Sequence, residues 1–154
     1  MVKIQYYIAR ESDLDFIIET YNENILSLHG QHRSYAVWEK IFYDKNSIYY
    51  IVQKILPVAW FRLDLADNEL LWIGMIQVKP IYQHKGMGKY ILSIVENIAK
   101  ENGFEKIGVH TTADNIIARK FYLSSGYLIT QIGSCTTADS KKRLGITLQK
   151  QILI

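Results

Sequence analysis

Gly86 and Gly88, with Gln83, His84, Lys85, Met87 and Lys89 around them, form the segment of this sequence best suited to hold an anion. They lie between an apolar, β-rich run ending at Val78 and a strongly helical pattern that starts without a gap. In a strand, loop, helix order, the loop amides and first-turn N–H groups have no intrahelical acceptor. The helix macrodipole adds roughly half a unit of positive charge at the same place. A pyrophosphate suits such a site, and glycine lets the backbone approach its oxygens because no Cβ intervenes. Two rival phosphate motifs fail. A dinucleotide fingerprint needs a small residue at position 91, where the chain has Ile91. A P-loop ending at Gly88-Lys89 needs glycine at 83 and a hydroxyl residue at 90, where Gln83 and Tyr90 stand.

A second constellation runs from Asn115 through Ala118, Phe121 and Tyr122 to Gly126 and Tyr127. Seven residues separate Asn115 from Tyr122, two helical turns, so both side chains project toward one groove. A phenol held there is a candidate proton donor. The ordinary alternative is that Tyr122 is one of eleven tyrosines, packed against a sheet.

The Q-x-x-G-x-G segment after Pro80 and the N-x-x-A-x-x-F-Y-x-x-x-G-[FY] pattern from Asn115 together resemble the GNAT superfamily of N-acyltransferases. The family pattern covers residues 3 to about 150, and its specific part is confined to 70–127. The resemblance implies acetyl-CoA as cosubstrate, with no metal. Its pyrophosphate would lie on Gln83, His84, Lys85, Gly86, Met87, Gly88 and Lys89. It also implies that the strand ending at Val78 diverges from the one at Lys106 to Thr111, with pantetheine in the gap. Ile76 and Val78 would contact that arm through their main chain, Asn115 would bond its amides, and Ala118 would leave it room. Tyr122 is then the expected general acid for the coenzyme A sulfur.

Acetyl transfer to an amine needs a neutral nucleophile, stabilisation of an oxyanion, and a proton for the departing thiolate. A lysine-like amine has a pKa near 10.4, so presenting it neutral at pH 7 costs about 4.6 kcal/mol, and a base or water chain must help. A backbone N–H released where two parallel strands splay can serve the oxyanion. Some family members carry a glutamate six residues before the position of Val78; here that position is Trp72. Asp64, Glu69 and Glu23 could act through water, and His29 and His32 could line an acceptor mouth, as could Tyr21, Tyr35 and Trp38 through cation–π contacts. Cys135, the only cysteine, lacks a following histidine and is not expected to be a covalent relay. The reading is direct attack by a primary amine, of a small molecule or a peptide, in a ternary complex. A noncatalytic acyl-CoA-binding module is the alternative from another class, and a longer acyl donor is a variant of the first.

These groups need a scaffold. KIQYYIA at 3–9 reads as a strand, and Ser12 with Asp15 gives a capping signal for a helix to about Leu28. Ser34 caps a second helix whose apolar side includes Val37, Trp38, Ile41 and Phe42. Strands follow from Ser47 to Gln53, Val58 to Leu63 and Glu69 to Val78, antiparallel, with turns at Pro57 and at Asp67-Asn68. After the glycine loop a helix buries Ile91, Ile94, Val95 and Ile98 and stops at Gly103. A strand runs from Lys106 to Thr111, and Asp114 caps a helix over Ile116 to Leu123. Two last strands, Tyr127 to Ile132 and Leu144 to Ile152, are joined by a polar loop through Cys135 and Arg143. The order is βααβββαβαββ: an α/β (mixed α+β), GNAT-like fold, with a mostly antiparallel seven-stranded sheet and about four helices on both its faces.

At 154 residues, 49% hydrophobic and 21% charged, the chain suits one globular domain, 1–154, rather than a disordered one. A net charge of +3, with scattered basic residues, gives no reason to expect nucleic acid. No stretch approaches the roughly 20 apolar residues of a membrane span, and one cysteine permits no intrachain disulfide, so a cytoplasmic protein is expected. The apolar tail Ile152-Leu153-Ile154 raises the expectation of a homodimer.

Overall fold

A computed structural model describes residues 2–152. The strands are β1 (Gln5–Ile8), β2 (Ser47–Gln53), β3 (Pro57–Asp64), β4 (Leu70–Val78), β5 (Lys106–Thr112), β6 (Leu128–Thr136) and β7 (Lys142–Gln151). They form one sheet in the order β1-β2-β3-β4-β5-β7-β6. Every neighbouring pair is antiparallel except β4 with β5. Helices α1 (Leu14–Glu23) and α2 (Tyr35–Phe42) lie between β1 and β2, α3 (Met87–Glu101) between β4 and β5, and α4 (Ile116–Ser124) between β5 and β6. The element order and the mixed sheet are those the sequence implies.

Alternation along the strands sends two sets of side chains to two cores. On one face Tyr49, Ile51 and Trp60 pack with Leu14, Ile17, Tyr21 and Trp38 from α1 and α2. On the other, Phe61, Leu71, Ile73, Ile107, Val109 and Leu148 pack with Ile91, Val95 and Ala99 of α3 and with Tyr122 and Tyr127. Burying each such side chain contributes roughly 1.5–3 kcal/mol. The sheet contacts of α1 and α2 fall on β2, β3 and β4, so the same face of β5, β7 and β6 offers a floor beside them.

Several local expectations are corrected. Helix α1 ends at Glu23 rather than near Leu28, because the Asn24 side chain leaves the helical path to bond the end of β4. Its entry is fixed by Asp13, whose carboxylate accepts from the Arg10 N–H at 2.9 Å, and not by Ser12. In α2, Ser34 does cap, accepting from the Val37 N–H at 3.3 Å, but Val37 faces outward while Trp38 is buried. Asn115, not Asp114, caps α4, accepting from the Ala118 N–H at 3.1 Å. The segment expected as a polar loop is mostly strand: Cys135 pairs with Arg143 and Thr136 with Lys142. Ile152 is 5% exposed and belongs to the core, whereas Leu153 and Ile154, the rest of the supposed dimer tail, lie outside the described residues.

Candidate functional site

The parallel pairing of β4 with β5 runs from Leu70↔Lys106 to Ile73↔Val109 and stops, although β4 continues to Val78 and β5 to Thr112. A bulge marks the point of divergence. Met75 pairs with Arg62 and Ile73 with Leu63, which leaves Gly74 as the extra residue. A side chain at Gly74 would displace an ion pair, since a Cβ there would lie 2.5 Å or less from the Arg62 guanidinium and the Asp64 carboxylate.

Register then decides which backbone groups face the gap. The Lys79 N–H donates to the Val58 carbonyl at 3.0 Å across the pair Ala59↔Val78. That makes Ala59↔Val78 a non-hydrogen-bonded pair, and by alternation Phe61↔Ile76 is another. The amide groups of Ile76 and Val78 therefore turn away from β3 and toward the space that β5 has vacated. The Val78 carbonyl is already engaged there: it accepts from Asn24 Nδ2 at 3.0 Å and from Gln83 Nε2 at 2.9 Å.

The glycine loop closes one end of the gap. His84 at φ 60° and Gly86 at φ 83° bend the chain into α3, where the first intrahelical bond is from Tyr90 N–H to the Gly86 carbonyl. The N–H groups of Met87, Gly88 and Lys89 are thus left without intrahelical acceptors, and the Gly86 cap has no side chain to cover them. Space around Gly86 is open, with nothing within 4 Å of where a Cβ would sit. Gly88 is required for a different reason, because its Cβ would lie 2.9 Å from Cζ of Phe121 on α4. Phe121, read from sequence as core, is therefore the contact that locks α4 against the start of α3.

These elements line a cleft of about 1200 Å³. It gathers Ile76, Val78, Gln83, His84, Gly86, Met87, Gly88, Lys89, Asn115, Ala118 and Tyr122, all named from sequence; Lys85 is not among its walls. Gln83 has a different job from the one expected. Its N–H donates to the Pro80 carbonyl and its amide to Asn24 Oδ1 and the Val78 carbonyl, so it anchors the loop and keeps no free donor. Asn115 spends its oxygen on the α4 cap and keeps its Nδ2. Tyr122 is buried, and that burial pushes its phenol well above the ordinary tyrosine range.

Across the divergence lies a residue that sequence reading did not single out. The His110 imidazole stacks on the Trp72 indole with centroids 4.5 Å apart and planes 14° off parallel, and its Nδ1 is 2.9 Å from the Thr147 hydroxyl. Trp72 itself lies flat on Gly108, where a Cβ would come within 2.6 Å of the ring. His110 lines the cleft, just past the last β4–β5 pair. Alternation along K-I-G-V-H-T-T could have revealed it, since it sets His110 opposite to the core residues Ile107 and Val109.

The other base candidates are engaged elsewhere. Asp64 is held by Arg62 at 3.0 Å and by the Ser47 hydroxyl at 2.9 Å; Glu23 pairs with Lys79; Glu69 is exposed. His29 pairs with Asp114 at 3.2 Å, and neither it nor His32 lines the cleft. Hydrogen bonds from Thr112 and His29, with Arg143 nearby, hold the Asp114 carboxyl below its usual range. Tyr21 does line the cleft, with Trp38 buried beside it at 4.9 Å between ring centroids, but the cation on both rings is Arg33 of the chain itself. Tyr35 lies outside the cleft. Cys135 faces its far end, with Sγ over Gly145. Among the described residues no group of three or more His, Cys, Asp or Glu could hold a metal ion, and no helix is long and apolar enough to cross a membrane.

The sequence profile of the Acetyltransferase (GNAT) family matches residues 14–127. A comparison with curated proteins finds no match. Among solved structures, the fold is similar to spermidine N-acetyltransferase from Vibrio cholerae in complex with CoA and spermine, with a TM-score of 0.81, 15% identity, and coverage of 97% of this chain and 95% of that one. It is similar to the ribosomal-protein-S18-alanine N-acetyltransferase from Escherichia coli, with a TM-score of 0.79, 16% identity, and 99% and 96% covered. A GNAT family acetyltransferase from Elizabethkingia anophelis with acetyl-CoA bound gives a TM-score of 0.71, 17% identity, and 96% and 97% covered.

Proposed function

The chain belongs to the acetyltransferase (GNAT) family, and on that premise we propose that it moves the acetyl group of acetyl-CoA to a primary amine by direct attack in a ternary complex. The observation that carries this reading is the end of β4–β5 pairing at Ile73 and Val109, which opens a gap onto both the uncapped start of α3 and Tyr122. The chain 1–154 is taken as a single such domain, acting in the cytoplasm.

The residues present fit the cosubstrate. Free N–H groups of Met87, Gly88 and Lys89 and the open space at Gly86 suit a diphosphate, whose charge Lys89 and, from α4, Lys120 would offset. The amides of Ile76 and Val78 and the Asn115 Nδ2 suit the amide groups of pantetheine, and Ala118 keeps the helix face low. When bound, acetyl-CoA supplies an activated acyl group as a thioester.

His110 is the base of this scheme. In the tautomer whose Nδ1–H donates to the Thr147 hydroxyl, with Trp72 holding the ring plane, Nε2 carries the lone pair that takes a proton from the attacking amine. An amide N–H on the released edge of β4, with Ile76 nearest the divergence, would stabilise the oxygen charge that develops at the acyl carbon. As the N–C bond forms and the C–S bond breaks, the Tyr122 phenol gives its proton to sulfur. The high phenol pKa does not disable it, because a thiolate leaving beside it would be disfavoured by the same burial. Once the thiol has left and water refills the cleft, the proton on His110 returns to Tyr122, so amine and thioester become amide and thiol with nothing left over. The noncatalytic alternative rests on Trp72 standing in place of a carboxylate; the imidazole stacked on that indole supports the catalytic reading instead.

Calorimetric titration with acetyl-CoA, followed by thiol release across an amine panel, tests the proposal. Saturable binding, with thiol released only when amine is present and with intersecting initial-rate patterns, is expected. Absence of binding, or ping-pong patterns, would overturn it.

A further inference from the structure

We infer that the amine this protein acetylates carries a carboxylate, and that Arg33 binds it. The inference rests on the acetyltransferase reading and narrows its acceptor, which the related structures leave wide: one acts on spermidine, another on an alanine of a ribosomal protein.

Arg33 lines the cleft from the loop between α1 and α2, with its guanidinium 5.4 Å from the centroid of Tyr21 and 5.3 Å from that of Trp38. Both rings are 1% exposed, so the plate beneath the guanidinium is rigid. The loop is pinned to the same plate. The Gln31 N–H donates to Tyr21 Oη, and Gly30 lies so close that a Cβ would be 2.6 Å from that oxygen. The two rings, 75° apart, hold the guanidinium by cation–π contact, and a guanidinium held in that way can still offer its edge N–H groups to a bidentate partner.

No such partner comes from the described residues. Arg10, Arg62 and Arg143 each face a carboxylate and Arg119 a carbonyl, but no carboxylate among the described residues lies within 4.0 Å of Arg33. The cleft wall likewise contains no aspartate or glutamate among them, while Arg33, Lys89 and Lys120 contribute positive charge. Lys89 and Lys120 stand by the proposed diphosphate, so Arg33 is the cation left over on the acceptor side. A polyamine would meet a fixed like charge with nothing to neutralise its own. An amine bearing a carboxylate, such as an amino acid, would supply the missing counterion and place its amino group on the His110 side of the cleft.

The test compares carboxylate-bearing amines with their uncharged amide counterparts and with spermidine, at saturating acetyl-CoA. The expected result is a kcat/KM at least tenfold higher for the carboxylate form than for its amide, with spermidine poorest. In Arg33→Met that ratio should collapse toward one, chiefly through KM of the carboxylate form, while acetyl-CoA affinity stays within twofold. Arg33→Lys should recover part of the ratio, and Arg33→Glu should turn it toward spermidine. Equal use of amide and carboxylate forms, preference for spermidine, an unchanged ratio in Arg33→Met, or no acetylation of any carboxylate-bearing amine while acetyl-CoA still binds would each overturn the inference. Loss of acetyl-CoA binding by the unaltered protein would instead overturn the acetyltransferase reading.

Discussion

The imidazole of His110 and the indole of Trp72 come from two parallel strands and stack almost face to face at the point where those strands part. His110 lines the cleft there, with the Thr147 hydroxyl bonded to its Nδ1. Removing the imidazole should therefore remove base catalysis without disturbing the cosubstrate. In His110→Ala, turnover is expected to fall roughly 100-fold or more. Its rate should climb with pH as the amine deprotonates unaided, and acetyl-CoA affinity by calorimetry should stay as in the parent. Unchanged turnover at neutral pH removes His110 from the mechanism.

Tyr122→Phe should lower turnover at least tenfold with little change in acetyl-CoA affinity. Because burial raises the phenol pKa, the proton stays on through the range near 10 where an ordinary tyrosine would lose it. The rate profile of the parent should accordingly show no decline centred there, and a decline at that value would point to a different acid.

The two loop glycines should fail differently. Gly86→Glu puts bulk and negative charge into open space, so acetyl-CoA binding should vanish while the thermal midpoint moves little. Gly88→Ala drives a methyl into the Phe121 ring, and should cost about 1–3 kcal/mol of stability as α4 is pushed from α3. Equal loss of stability in the two variants would contradict the packing described.

Alkaline pH should unfold the protein early. Tyr122 and Tyr127 both have raised folded-state pKa values, by burial first and, for Tyr127, also by Glu96. Below about 10 both states keep these protons. Above it the unfolded chain loses them first, so it binds fewer protons than the native state and stability falls as pH rises. Denaturant titrations between pH 9 and 11, values chosen to span roughly that reference point, should show the loss beginning near it, and Tyr127→Phe should soften it.

Much of the cleft wall around the glycine loop and α4 was legible because its residues are contiguous: a helix start needs its glycines beside it, and two side chains two turns apart need one helix. The acceptor half is assembled by sheet register. His110 meets Trp72 and Thr147 across strand pairs that no local pattern encodes, and Arg33 is placed by a loop folded onto Tyr21. Adjacent residues were misassigned where tertiary partners compete. Asp114 and Asn115 are equally good caps by type, but His29 and Arg143 draw Asp114 outward. Cys135 looked like loop because its strand is an exposed edge rich in small polar residues, which lacks the apolar alternation that marks buried strands.

The Val78 carbonyl carries a consequence of its own. Two amides reach it, one from the end of the first helix and one from the turn ahead of the glycines, and they are bonded to each other as well. The glycine turn and the end of the first helix are thus moored to a single oxygen, a cross-tie through which neither can drift without dragging the other. Removing either amide should therefore loosen the turn and the helix end together.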